Sequence, residues 1–238
     1  MTIISDNIKL EYHMDKVKDY LNFEEFDKKY GVDTATDGFL DLWNISNNES
    51  VYPDWEENNH LYPGSSGYQT TAIKHLDEIN EILYNLISNI KEYSFVDVGS
   101  GKGKVIINNI IKESKYNKNI GIEIDKNLYN ISIKNLNIIK NKFNINNVEI
   151  YNKDILDYKC IKEPSIYFFF NPFSNYIYKK FLIKNKKQFL EYPTLIVQIY
   201  PFYPTLGENT DFIEFPIEEN MQFKKIYNEK YILIYSSL

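Results

Sequence analysis

The sequence predicts an α/β fold, a mostly parallel sheet with helices on both faces and an antiparallel last strand. Three observations carry this prediction. From about residue 70 onward, short apolar runs alternate with amphipathic stretches, as they do where helices connect parallel strands. A glycine-rich loop follows the first apolar run, and the tail holds two further apolar segments. The 238 residues suffice for one large domain with an added segment.

The positions of the elements follow from these runs. Parallel strands are expected at residues 94–98, 119–124, 148–151, 165–170 and 194–200. Helices are expected between them, at about 103–114, 126–142 and 174–190. In the tail, FIEFPI (212–217) and KYILIYS (230–236) predict an antiparallel pair joined by a turn near Glu219–Asn220.

Residues 1–70 are predicted to form an N-terminal helical and loop cap on a domain that spans residues 71–238. Apolar positions among charges over residues 7–30 predict one or two amphipathic helices that end at Gly31. The rest of the cap has no periodicity and many glycines, prolines and asparagines, which predicts a loop. We expect the cap to close over a bound ligand.

The first helix of the domain is expected to begin at Thr70 or Thr71, because apolar residues with helical spacing start at Ile73. A threonine at this point favours Thr71 as the N-cap. His75 lies on the same helix, and we expect it at the surface or only partly buried.

Charge is distributed unevenly along the chain. Residues 1–70 hold 14 acids and 5 lysines, a net charge of −9, whereas residues 71–238 hold 19 acids and 22 lysines, a net charge of +3. There is no arginine. Proteins that bind long nucleic acids usually carry a clustered basic surface, so such a partner is not expected.

The sequence also bears on location and on metals. No apolar run approaches the ~20 residues of a membrane-spanning helix, and acids occupy the start of the chain where a signal peptide would be basic. Together with the single Cys160, this favours a soluble cytoplasmic protein without a membrane partner. No Cys/His cluster has the spacing of metal ligands, so no metal is expected.

The glycine-rich loop VDVGSGKGK (96–104) is the main candidate for a ligand site. Glycines at the start of a helix let a ligand approach the backbone closely. A phosphate-binding loop needs Ser or Thr after its lysine, but Val105 follows Lys104. A dinucleotide loop counted from Gly99 needs its third glycine where Lys104 stands. The remaining pattern, an acid followed by alternate glycines, suits a ligand without pyrophosphate, with Asp97 close to a cationic group.

Two further acids follow later strands. Glu123 ends the next strand, where an acid in such folds accepts hydrogen bonds from both hydroxyls of a ribose. Asp154 follows the third strand, where a side chain can bind the exocyclic amine of adenine, beside the backbone of Ile155. The alternative for each is structural: Asp97 would cap a strand end, and the other two acids would be solvated charges.

These residues resemble a known family. The segments VDVGSGKGK, GIEID, NKDILDY and FFFNPF resemble successive motifs of class I S-adenosylmethionine-dependent methyltransferases, from about residue 70 onward. FDKKYGVDT (26–34) and GYQTT (67–71) further resemble a bacterial subfamily that reads FDRRYGVDT, Y-x-P-T, DLGSGKGR and FNPF and has no settled substrate. The chain departs from that pattern at Gln69-Thr70 and at Lys104.

The resemblance implies a Rossmann-like class I methyltransferase sheet with an N-terminal helical and loop extension. It implies S-adenosylmethionine as the cofactor. The residues expected to bind this cofactor are Tyr68, Thr70, Thr71, Asp97, Gly99, Ser100, Gly101, Gly103, Glu123, Ile124, Asp154, Ile155 and Asn171.

FFFNPF places Asn171, Pro172 and Phe173 at the carboxyl end of the fourth strand, the edge where open α/β sheets bind ligands. The segment is similar to the N-P-P-F motif of amino-methyltransferases, in which the asparagine orients an amine and the aromatic ring stacks on the acceptor. We therefore expect these three residues to be catalytic. The alternative is that Asn171 and Pro172 only end the strand.

The expected reaction is N-methylation of an amine or amide on a small molecule or a protein side chain. The acids and aromatics of DWEENNHLY (54–62) favour a cationic acceptor. Three alternatives remain: a nucleobase or nucleotide methyltransferase, an O-methyltransferase with a base such as His60, and a cofactor-binding protein without catalysis. The sequence does not specify the oligomeric state.

Overall fold

The computed structural model describes residues 25–35, 68, 70–143, 145, 147–170, 172–173, 175–199, 221–229 and 232–237. Within them, seven strands form one sheet in the order β3-β2-β1-β4-β5-β7-β6. The strands are β1 (Ser94–Val98), β2 (Lys118–Glu123), β3 (Val148–Asn152), β4 (Ser165–Phe169), β5 (Thr194–Ile199), β6 (Lys224–Glu229) and β7 (Ile232–Ser236). The first five are parallel and β7 is antiparallel to both of its neighbours. The predicted Rossmann-like sheet with an antiparallel last strand is confirmed.

Helices connect the strands as predicted. They are α1 (Ile73–Leu86), α2 (Lys104–Ile111), α3 (Lys126–Lys140) and α4 (Asn175–Glu191), and a 3₁₀ turn at Ile90–Glu92 precedes β1. Asp125 caps α3, because its carboxylate accepts the N–H groups of Asn127 and Leu128.

Ahead of the sheet, residues 25–30 are helical and end at Gly31, as predicted. Gly31 has a φ of +70°, and the N–H groups of Gly31 and Val32 both donate to the carbonyl oxygen of Asp27, at 2.7 and 3.1 Å. A left-handed glycine is a common way to end a helix.

The start of α1 differs from the prediction. The helix begins at Ile73, its N-cap is Ala72 in an extended conformation, and no side chain caps it. Thr71 is therefore not the N-cap. Thr70 and Thr71 are buried instead. His75 was expected at the surface or partly buried, but it is buried, because it lies on the face of α1 that packs on the sheet.

The carboxyl-terminal hairpin also differs. β7 pairs with β6, so the two paired strands are connected between Glu229 and Ile232 and not near Glu219–Asn220. FIEFPI lies outside the described residues. The sequence of β6, KKIYNE, has no apolar alternation because this strand is at the edge of the sheet and is mostly exposed. Alternation of apolar residues in a sequence indicates a half-buried strand, but an exposed edge strand leaves no such pattern.

The core lies on both faces of the sheet. Alternate side chains of β4 point to opposite faces: Tyr167 and Phe169 belong to the cluster that α4 covers, and Ile166 and Phe168 to the cluster that α1 covers. A smaller cluster joins Phe26 and Val32 to Ile107 of α2 and Ile139 of α3. The segment 26–35 is thus packed onto two helices beside the glycine-rich loop.

Truncation of a central side chain should reveal how strongly this core contributes. Phe168 has 0% exposure and stacks 5.6 Å from Phe95. Phe168→Ala should lower the free energy of unfolding by about 3–5 kcal/mol, because it leaves a cavity in a rigid core. Ile183, 54% exposed on α4, is the control, and Ile183→Ala should change little. Urea titration checks both, and equal losses would contradict this account of the core.

Candidate functional site

Three glycines shape the loop between β1 and α2. Gly99, Gly101 and Gly103 have φ angles of +76°, +51° and +86°, a region that residues with side chains rarely adopt. Neighbouring atoms also close the space. A Cβ on Gly99 would lie 2.5 Å from Pro172 Cβ, and one on Gly101 would lie 2.2 Å from a ring carbon of Tyr68. Both conformation and packing therefore require glycine at these two positions.

Backbone N–H groups of the loop are engaged within the protein. Those of Gly99 and Ser100 both donate to the carbonyl oxygen of Ile122, at 2.9 Å each. That of Gly101 donates to the carboxylate of Glu123 at 2.7 Å. Loops that bind phosphate direct such groups at the ligand. The N–H groups of Gly99, Ser100 and Gly101 are consequently not directed at a ligand phosphate.

Two carboxylates lie beside the loop. Asp97 on β1 is 3% exposed, and its Oδ2 has no hydrogen-bond partner among the described residues. Burial, and secondarily the charge of Glu123, raise the pKa of Asp97 to about 8. Burial also raises the pKa of Glu123, although the N–H groups of Asp125 and Gly101 bind its carboxylate and act in the opposite direction. Such a pair favours a cationic group that could share the site.

A pocket opens next to these groups. The residues that line it are Tyr68, Thr70, Thr71, Asp97, Gly99, Ser100, Lys104, Val105 and Phe170. Asp97 and Lys104 are both buried, so an acidic and a basic residue line the same pocket. The Lys104 ammonium is also 5.2 Å from the centre of the Phe26 ring, a cation–π contact. A carboxylate and an ammonium in one pocket can together bind the amine and the carboxylate of an amino acid.

The pocket brings together part of the predicted cofactor site. Tyr68, Thr70, Thr71, Asp97, Gly99 and Ser100 line it, whereas Gly101, Gly103, Glu123, Ile124, Asp154 and Ile155 do not. Glu123 is joined to the pocket through Gly101, whose N–H it binds. The loop thus links the pocket to the carboxyl end of β2.

Other predicted residues have structural partners. The Asn152 amide donates to the carbonyl oxygens of Glu123 and Ile124, at 2.9 Å each, and fixes the end of β2. Asp154 accepts the N–H of Leu156 at 2.8 Å and so caps a turn. Ile155 is buried in the core. These contacts leave the backbone after β2 and β3 in a defined conformation at the ligand edge of the sheet.

The three residues of the predicted acceptor site differ in what is described. Asn171 lies outside the described residues. Pro172 packs against Gly99, which brings the end of β4 next to the glycine-rich loop. Phe173 packs edge-on against Phe169, with ring centres 6.1 Å apart, and joins the edge of the core. His60 also lies outside the described residues.

Sequence reasoning missed several residues at this site. Lys104, Val105 and Phe170 line the pocket, and Lys102 in the loop is 1% exposed. A lysine between two glycines, and another that starts an apolar helix, are the cues that could have indicated buried cations. The partners of such cations depend on the tertiary structure and cannot be found from spacing.

Two features are absent from the described part of the chain. Among the described residues, none of the helices has both the length and the apolar character needed to cross a membrane. In the same residues, groups of three or more His, Cys, Asp or Glu side chains that could hold a metal ion are not found.

Comparison with known proteins gives the following result. The sequence matches no family model and no curated protein. The fold is similar to solved structures of methyltransferases. An RNA methyltransferase from Salinibacter ruber in complex with S-adenosyl-L-homocysteine has 15% identity and a TM-score of 0.42, covering 67% of this chain and 88% of its own.

Two further structures show the same range of similarity. A ribosomal protein L11 methylase from Lactobacillus delbrueckii has 12% identity and a TM-score of 0.46, with 77% of this chain and 90% of that chain covered. A magnesium protoporphyrin IX methyltransferase from Synechocystis with bound S-adenosylhomocysteine has 10% identity and a TM-score of 0.46, with 69% and 81% covered. TM-scores below 0.5 say nothing about the ligand or substrate of this chain.

The buried Asp97 should make stability depend on pH. A carboxyl with a pKa of about 8 in the folded protein and about 3.9 when unfolded takes up a proton on folding between those values. Its contribution to stability is therefore complete below the unfolded pKa and is lost as the pH rises to the folded pKa of about 8. The melting temperature of the ligand-free protein should fall between about pH 4 and 8 and level off above that range.

Asp97→Asn should reduce this dependence, because the amide does not titrate. Glu229→Gln, at an exposed position of β6, should retain the wild-type dependence. Differential scanning calorimetry at several pH values makes the comparison. If wild type and Asp97→Asn lost stability equally with pH, Asp97 would not be the titrating group.

Proposed function

We propose that this chain is an S-adenosylmethionine-dependent methyltransferase that transfers a methyl group to a nitrogen of a small molecule or a protein side chain. One observation carries the proposal: a buried carboxylate, one oxygen of which has no hydrogen-bond partner among the described residues, lines a pocket beside a glycine-rich loop. In that loop the N–H groups of Gly99, Ser100 and Gly101 bind other protein atoms. Such a site attracts a ligand with a cationic centre and not one with a phosphate.

The methionine end of the cofactor is assigned to this pocket. Asp97 would bind its amine, and Lys104 its carboxylate, while the hydroxyl-bearing Thr70 and Thr71 add polar groups to the wall. Charge-assisted hydrogen bonds of this kind are short and strong. Asp97 and Lys104 match the ammonium and the carboxylate of an amino acid, and NAD contains neither group.

The adenosine end is assigned to the ends of β2 and β3. The Glu123 carboxylate accepts one N–H on each oxygen, from Gly101 and Asp125, and each oxygen retains a second lone pair for a ribose hydroxyl. Asp154 holds the turn after β3, where the backbone of Ile155 would meet the adenine ring. Gly99, Ser100, Gly101, Gly103 and Ile124 would complete this cofactor site by close backbone approach.

S-adenosylmethionine, when bound, supplies a methyl group on a positively charged sulfur. The protein's part is alignment and the exclusion of water. Asn171 would orient the acceptor amine so that its lone pair faces this methyl group, and Pro172 fixes the end of β4 against the glycine-rich loop. The acceptor nitrogen gains the bond to carbon and then loses a proton to solvent, while the sulfur keeps the electron pair of the broken bond.

Ligand binding tests the cofactor assignment. S-adenosylmethionine or S-adenosylhomocysteine should bind in isothermal titration calorimetry, and NAD should not. Glu123→Ala should weaken binding by about 1–3 kcal/mol, since a charged acceptor is lost. Glu229→Ala, a change of the same kind on the exposed strand β6, should leave affinity unchanged. Micromolar binding of NAD without heat from either methionine derivative would exclude the proposal.

Asn171 tests the reaction class, once an acceptor has been found by a labelled-methyl screen of cell extract. Asn171→Ala should lower turnover about 10²-fold or more with little change in cofactor affinity, as expected when an aligning interaction is removed. The control is Asn185→Ala: this buried α4 side chain donates to the Phe181 carbonyl oxygen at 2.8 Å. Its loss should lower the melting temperature and preserve turnover per folded molecule.

Asn171→Ala with preserved turnover would argue against an amine-orienting role and would favour O-methylation with a base such as His60. Cofactor binding without transfer to any acceptor would favour a binding protein.

A further inference from the structure

The loop that shapes the candidate site contains a buried cation. Lys102 lies between Gly101 and Gly103 and is 1% exposed. A buried ammonium is strongly unfavourable unless it is paired and hydrogen-bonded. Its partners come from far away in the sequence: the Asp33 carboxylate at 2.8 Å and the carbonyl oxygen of Ala35 at 3.0 Å.

The backbone around this ion pair is held by one side chain of α3. Asn135 accepts the N–H of Asp33 through its Oδ1, at 2.9 Å. Its amide donates to the carbonyl oxygens of Asp33 and Lys102, at 2.6 and 3.0 Å. Asn135 is buried. Lys102 and Asp33 are therefore connected both directly, by their ion pair, and indirectly, by hydrogen bonds to Asn135.

Residues 33–35 are themselves fixed from within their own segment. The Asp27 carboxylate accepts the N–H groups of Thr34 and Ala35, at 2.6 and 2.8 Å, and the hydroxyl of Thr34 at 2.5 Å. The backbone next to Asp33 is therefore held by contacts that do not involve Lys102. Phe26 and Val32 anchor the same segment in the apolar cluster between α2 and α3.

Tyr68 completes the arrangement on the ligand side. Its hydroxyl donates to the carbonyl oxygen of Thr34 at 2.6 Å, and the Lys102 ammonium lies 5.5 Å from its ring centre. The same ring occupies the space that a side chain at Gly101 would need, and it lines the pocket. Tyr68 thus touches the segment, the loop and the pocket at once.

We propose that Lys102 is a positioning residue, whose ion pair with Asp33 fixes the glycine-rich loop in the conformation that binds the cofactor. Residues 26–35 then form part of the cofactor site without touching the cofactor. The inference rests on the proposed function, since the ligand is the one assigned above. Because the segment and the ligand both stabilise one loop conformation, each must strengthen the binding of the other.

The Lys102–Asp33 pair has a matched control in the chain. Lys112 and Asp77 also form an ion pair at 2.8 Å, but their side chains are 49% and 42% exposed, at the C-cap of α2 and on α1. Pairs of this kind contribute little. Lys102→Met and Asp33→Asn should each raise the dissociation constant for S-adenosylhomocysteine roughly tenfold or more, and the double variant little beyond either. Lys112→Met and Asp77→Asn should leave it unchanged.

Calorimetry gives these constants, and hydrogen–deuterium exchange supplies a second readout. In the wild type, S-adenosylhomocysteine should increase protection of the amides of residues 26–35, although they do not contact it. In Lys102→Met this increase should disappear. A merely structural ion pair would lower the melting temperature and leave both the dissociation constant of the folded protein and the exchange response unchanged, which would overturn the inference.

The outcomes separate this inference from the proposed function. If wild type binds S-adenosylhomocysteine and both variants bind it equally well, the positioning role is wrong and the proposed cofactor stands. If wild type does not bind it, both fail. Should Lys102→Met not fold, Asp33→Asn decides alone, because the Asp33 side chain is 60% exposed and its replacement leaves no cavity.

Discussion

The conformation of one loop is the constraint on which the candidate site depends. Gly99 and Gly101 adopt left-handed backbone angles against Pro172 and Tyr68, and the N–H of Gly101 binds the Glu123 carboxylate. Three regions of the chain therefore meet at this loop: the end of β4, the end of β2 and the segment before α1. Because the N–H groups of Gly99, Ser100 and Gly101 bind Ile122 and Glu123, this part of the loop offers a ligand close backbone contact and does not direct N–H groups at a phosphate.

Charge in this region is arranged in opposite pairs. Asp97 and Lys104 line the same pocket, and the buried ammonium of Lys102 forms an ion pair with the carboxylate of Asp33. Burial of unpaired charge would destabilise the fold. Burial of the charged form of Asp97 is unfavourable, and its pKa is high for this reason. The carboxyl therefore holds a proton in the folded, ligand-free protein below a pH of about 8.

Much of the fold could be predicted from the sequence, because buried parallel strands leave continuous apolar runs. SFVDV coincides with β1 at Ser94–Val98. The edge strand β6 could not be predicted, since its exposed side chains leave no pattern. Of the candidate site, Asp97 and Gly99 were predicted from the local motif. The role of Lys102 was not, because its partner Asp33 lies 69 residues away in sequence and only the tertiary structure joins them.

Some of the acids in the amino-terminal segment have structural roles. Asp27 organises residues 33–35 and Asp33 neutralises a lysine of the loop, so these two acids are already used in building the protein. These contacts reduce the negative charge that the two acids could offer to a cationic acceptor. In the proposed function, the segment 26–35 acts on the cofactor side of the site and the end of β4 acts on the acceptor side, with the glycine-rich loop between them.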